Sequence, residues 1–139
     1  MMRGGCLCGA VRYEAGGEPL FGLRCYCRDC QRASGSSNVP IVAVLRKLFT
    51  ISGETKSYAT AGESGRKAAR NFCPVCGSLL FGAPERAPEI ITLYVGTLDD
   101  PSGWKPSYVQ FIRSRPPWET SQGDVVEFEN GATHPRPGT

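Results

Sequence analysis

The chain has 139 residues, with 16 Lys and Arg against 13 Asp and Glu, for a formal net charge of +3. That is the length of a single domain, and the excess charge is too small to define a nucleic-acid or membrane binder. No apolar run approaches the roughly 18 residues of a membrane span, and residues 1–10 hold no apolar stretch of secretory-signal length, so the expectation is a cytoplasmic protein with reduced thiols.

Seventeen glycines and 11 prolines favour short strands over long helices. In chain order, residues 10–15 alternate Val11 and Tyr13 with Arg12 and Glu14, the period of a strand. A turn or two of helix is expected only around residues 28–33. Residues 39–45 are apolar and rich in β-branched side chains, and 48–52 continue that character. Weaker strand signals follow at 56–60 and 67–72, and stronger ones at 79–82, 90–95 and 108–113. Residues 125–128 suggest a last short strand. Such a pattern predicts a mainly β fold of short antiparallel strands with little helix, arranged as a sandwich or an open, tent-like pair of sheets. Residues 1–130 read as one domain. The tail 131–139, with little apolar content and two prolines, reads as a frayed terminus or as an arm lying on the partner subunit of a homodimer.

Seven cysteines stand at 6, 8, 25, 27, 30, 73 and 76. In a reducing compartment, clusters this tight point to metal or catalysis rather than to disulfides. Cys6-Leu7-Cys8-Gly9 and Cys73-Pro74-Val75-Cys76-Gly77 are two knuckle-like turns, and together they supply the four thiolates of a closed tetrahedral zinc site. The alternative is a set of buried thiols without metal. Cys25, Cys27 and Cys30 remain. Three protein ligands with an open position is the catalytic arrangement of zinc, which makes these three the candidate active-site ligands of a second zinc. A structural site completed elsewhere, or a redox thiol cluster, are the alternatives. An incoming thiol held at the open position would be a thiolate, hence a nucleophile for a small electrophile such as an aldehyde. Arg24, Arg28 and Arg32 flank the motif, as counter-charges or as holders of an anionic ligand's carboxylates.

Other candidates carry less. His134 is the only histidine and lies in the tail. Asp29 reads as a turn residue, and the 66–70 basic stretch, without interleaved aromatics, reads as a solvated strand face. Asp99-Asp100-Pro101 reads as a turn, and Trp104 and Trp118 read as packing residues or pocket walls.

These residues give the chain a resemblance to the glutathione-dependent formaldehyde-activating (GFA) family, which is related to centromere protein V. The matching segments are Gly4-Gly5-Cys6-Leu7-Cys8-Gly9-Ala10-Val11-Arg12-Tyr13, Cys25-Tyr26-Cys27-Arg28-Asp29-Cys30-Gln31-Arg32-Ala33-Ser34-Gly35 and Phe72-Cys73-Pro74-Val75-Cys76-Gly77-Ser78. Gly96-Thr97-Leu98-Asp99-Asp100-Pro101 and Ser114-Arg115-Pro116-Pro117-Trp118 also match. The resemblance implies a zinc-clamped β-tent, a structural zinc on Cys6, Cys8, Cys73 and Cys76, and an active-site zinc on Cys25, Cys27 and Cys30. It also implies a carbon–sulfur lyase activity that joins glutathione and formaldehyde into S-(hydroxymethyl)glutathione. Glutathione would then be the anionic ligand of Arg24, Arg28 and Arg32. Family members commonly carry histidine where this chain has Tyr26, and again near Tyr108 and Val109. A non-catalytic thiol-binding carrier and an interaction module with two structural zincs are the alternative functions.

Overall fold

The computed structural model describes residues 1–62, 65–120 and 123–132. Its strands, in chain order, are β1 (Met2–Gly5), β2 (Arg12–Ala15), β3 (Phe21–Cys25), β4 (Val39–Leu45), β5 (Phe49–Ser52), β6 (Lys56–Ala61), β7 (Lys67–Phe72), β8 (Leu79–Pro84), β9 (Ile90–Tyr94), β10 (Tyr108–Gln110) and β11 (Val126–Glu127). One α-helix among the described residues, α1 (Arg28–Ser34), follows β3. The protein is mainly β, and no helix among the described residues is long and apolar enough to cross a membrane.

The strands form two sheets. The small one has the order β1-β2-β5, and the large one runs β11-β10-β3-β4-β9-β8-β7-β6. Neighbours are antiparallel, with the exception that β10 runs parallel to β3 and to β11. Parallel neighbours need a crossover rather than a hairpin, and the chain between β3 and β10 provides it.

Strand β4 explains the layering. Its Val-Pro-Ile-Val-Ala-Val-Leu run is apolar on both faces, the signature of a strand covered twice. Val42 and Val44 pack with Tyr13, Leu80, Ile91 and Leu93 in a first core that joins the two sheets. Val39, Ile41 and Ala43 pack with Phe21, Leu23, Ile90 and Tyr94 in a second core on the opposite face. Strand β9 alternates in the same way, sending Ile91 and Leu93 to the first core and Ile90 and Tyr94 to the second. Each core holds part of one cysteine group: Cys6 and Cys73 in the first, Cys25 and Cys30 in the second.

Strands β1 and β3 are not among the expected elements. Phe21, Leu23 and Cys25 alternate with Gly22 and Arg24 along β3 and enter the second core, and all five residues are buried. The strand expected over 108–113 stops at Gln110, because Phe111 adopts a left-handed φ of 59° and the chain turns into a short 3-10 helix at Ile112–Ser114. Asp99 and Asp100 lie in the loop just before the Ser102–Gly103 turn, where Asp99 pairs with Arg12 at 2.9 Å and so ties β2 to this loop. Trp104 packs against the first core and donates from Nε1 to the Ile41 carbonyl, whereas Trp118 is 78% exposed. Of the expected tail, Ala132 donates its backbone N–H to Gln110 Oε1, and residues 133–139, His134 among them, lie outside the described residues.

Candidate functional site

The first cysteine group is built from two tight turns. Gly9 and Gly77 follow the second thiol of each with φ of 82° and 77°, a region costly for any residue with a Cβ. In each turn a backbone N–H meets a sulfur: Val11 N donates to Cys6 Sγ at 3.2 Å and Val75 N to Cys73 Sγ at 3.4 Å. Ser78 couples the turns, accepting from Leu7 N and lying 3.2 Å from Cys76 Sγ. Its hydroxyl, followed by backbone N–H groups, pulls the Cys76 thiol down to about 5.

The four sulfurs lie within 4.8 Å of one another, with Cys6–Cys8 at 3.6 Å and Cys8–Cys73 at 3.8 Å. A tetrahedral ion with metal–sulfur bonds of about 2.3 Å needs sulfur–sulfur edges of about 3.8 Å, so this donor set fits a metal ion. The group also ties residues 6–8 of the small sheet's first loop to the turn between β7 and β8.

The second group sits at the junction of β3 and α1. Cys25 ends β3, Cys27 is the N-cap of α1, and Cys30 lies buried in the helix's first turn. Gly35 closes the helix in the left-handed conformation, its N–H returning to the Gln31 carbonyl. The three sulfurs lie within 4.8 Å of one another. Each accepts one hydrogen bond from a non-cysteine side chain or the backbone: Gln110 Nε2 donates to Cys25 at 3.6 Å, Cys30 N to Cys27 at 3.3 Å, and Arg70 Nη2 to Cys30 at 3.7 Å. This donor set fits a metal ion with one protein ligand fewer than the first. Hydrogen bonds from Cys25 and Cys30 hold Cys27 far below the usual thiol range, and the same contact with Cys27 pushes Cys25 well above it.

A cavity of about 520 Å³ opens over this second group, and all three cysteines line it. Among the described residues the lining is cationic: Arg28, Arg66, Lys67, Arg70, Arg86 and Arg113 against one carboxylate, Asp29. Within the 66–70 stretch Arg66 and Lys67 are exposed, as expected of a solvated face, while Ala68, Ala69 and Arg70 are partly buried. β7 turns the stretch onto the cavity, and Arg70 extends to the cluster. Across the sheet Gly82 pairs with Arg70 on one side and Thr92 on the other. A Cβ at Gly82 would stand 2.5 Å from Thr92 Oγ1.

Tyr94 also lines the cavity, 8% exposed. Burial first, opposed by Arg70, pushes its hydroxyl well above the usual phenol range.

Of the three arginines next to the cysteines in sequence, only Arg28 lines this cavity. Arg24 alternates with Leu23 and Cys25 along β3 and so points to the far side. There it is buried, donates to the Tyr26 hydroxyl and lies 5.4 Å from that ring's centre. Arg32 borders a small outer hollow with Trp118 and Pro116. The guanidinium that meets a sulfur is Arg70, supplied from a distant strand. Tyr26 is fully buried between Arg24 and Arg115, and Tyr108 lines the cavity.

The fold and these two groups define a mainly β protein with one closed cysteine cluster and one cluster open to a cavity, each able to hold a metal ion. Residues 1–114 match the family model of the glutathione-dependent formaldehyde-activating enzyme, and the chain belongs to that GFA family. It is 25% identical over 130 residues to a Halomonas elongata protein whose name assigns it, provisionally, to the same enzymes; the match covers 85% of this chain and 79% of that one. A Rhodobacter sphaeroides crystal structure shares the fold at a TM-score of 0.58 and 22% identity, covering 91% of this chain and 99% of the other.

Proposed function

We propose that this chain is a zinc-dependent enzyme of the carbon–sulfur lyase type, which adds glutathione or a similar thiol to a small aldehyde such as formaldehyde. The observation that carries the reading is the three-sulfur group opening onto a cationic cavity. Cys6, Cys8, Cys73 and Cys76 would hold one zinc for structure, and Cys25, Cys27 and Cys30 a second. Soft thiolate donors in fours and threes suit zinc, which takes no part in electron transfer. The chemistry that zinc supplies at such a site is to lower the pKa of an added thiol, so that it is a nucleophile at neutral pH.

The chain's own residues supply the rest. The cationic lining, with Arg28, Lys67 and Arg86 near its rim, holds the carboxylates of the thiol substrate, and Asp29 is the partner for an ammonium group. A sulfur lone pair adds to the carbonyl carbon, the C=O π electrons move to oxygen, and that oxygen takes a proton. Nothing is oxidised or reduced. Tyr94, kept protonated by its burial, is the donor for that oxygen. A reducing cytoplasm is the compartment in which such a site keeps its thiols.

Exchange NMR on formaldehyde and glutathione tests the reading. Zinc-loaded protein should speed adduct formation by about 10²-fold or more, and Cys30→Ser should abolish the effect. An exchange rate unchanged by stoichiometric wild-type protein would overturn it.

A further inference from the structure

We infer that Arg70 is the positioning residue of the three-cysteine cluster: it fixes the Cys30 sulfur and supplies the positive charge that a three-thiolate centre needs. The inference rests on the reading that this cluster holds a divalent metal ion. Three thiolates around such an ion leave a net charge of −1, whatever the ion. Arg70 Nη2 meets Cys30 Sγ at 3.7 Å, while Nη1 is held by Thr60 Oγ1 at 2.8 Å on neighbouring β6. The guanidinium plane is thus set by two partners on opposite arms, and one of them is a ligand sulfur. Second-shell groups of this kind orient ligands and set how tightly the metal is held.

The alternative, that Arg70 serves the fold, fits the contacts poorly. The side chain is half buried, and among the described residues no carboxylate pairs with it. Its Nε is buried with no hydrogen-bond partner. A guanidinium in that state stabilises a fold less than an apolar side chain of similar volume. Its favourable contacts point to the cluster.

Metal titration with chelator competition, on full-length reduced protein, separates the two roles. Cobalt is the probe, because its thiolate charge-transfer bands report each cluster's sulfur ligation. Arg70→Gln should weaken the second metal about 10- to 100-fold and leave the four-cysteine site at wild-type affinity. Arg70→Lys should recover part of the loss, since an ammonium carries the charge without the fork that bridges Thr60 and Cys30. Lys67→Gln removes a cavity charge with no bond to sulfur and should leave metal affinity unchanged. Wild-type affinity for both ions in Arg70→Gln overturns the inference. So does equal weakening by Lys67→Gln, which would make the effect one of general field. Loss of both ions in Arg70→Gln would assign Arg70 to the fold instead. A wild-type protein that takes up a single ion fails the metal reading itself, and the inference with it.

Discussion

Gln110, Arg70 and the backbone N–H of Cys30 each meet a different sulfur of the open cluster, so no ligand atom is left to find its own orientation. Tyr94 lines the cavity from a buried position, and its proposed part is that of proton donor. Tyr94→Phe should lower kcat about 10²-fold while leaving metal content and thiol binding as in the wild type; steady-state kinetics with metal analysis check this, and an unchanged kcat would remove Tyr94 from the reaction. Gly82 is a third case. Gly82→Ala should destabilise the protein by about 1–3 kcal/mol through overpacking on Thr92, measured as a denaturation midpoint, and wild-type stability would mean that the neighbours give way freely. At this scale the sequence revealed the ligands, because C-x-C and C-x-x-C spacing brings thiols together locally. It concealed Arg70 and Gln110, which reach the cysteines from 40 and 85 residues away. Adjacency in sequence drew attention to Arg24 instead, and strand alternation sends that side chain away from Cys25.

At the scale of the element, β4 and β9 separate two cores and so give each cysteine cluster its own surroundings. β4 is legible because an unbroken apolar run of that length fits a strand covered on both faces. β3 is less so, because its alternation is short, three apolar residues against Gly22 and Arg24, and its neighbours bury the arginine face as well. The shortening of β10 follows from one residue, Phe111, whose left-handed backbone no local signal announces. The small sheet is joined to the following loop by the exposed Arg12–Asp99 pair. Asp99 sits below the usual carboxylate range, first because Arg12 donates hydrogen bonds to it. A lowered folded-state pKa contributes stability above the unfolded value of about 4 and loses it as pH falls through the folded one. The difference in Tm between the wild type and Asp99→Asn should therefore be largest near neutral pH and close as Asp99 protonates. A difference that stays constant through the acid range would assign the effect to packing.

Over the whole molecule, the two clusters differ in their surroundings. The closed one pins residues 6–8 to residues 73–76 across the first core, while the open one lies in the second core beneath a cavity whose described lining holds six cations and one carboxylate. The seven cysteines suggest a closed and an open cluster by count alone, but the strand order that places the clusters on opposite faces of one sheet is a property of long-range pairing and left no trace in local sequence. The central claim is that the open cluster is a thiol-binding zinc site. Native mass spectrometry of reduced protein, with and without glutathione, tests it most directly on the wild type and Cys30→Ser. The account predicts two zinc ions and one noncovalently bound glutathione per wild-type chain, and one zinc with no glutathione in Cys30→Ser. A single zinc in the wild type, or glutathione held equally by both proteins, would contradict it.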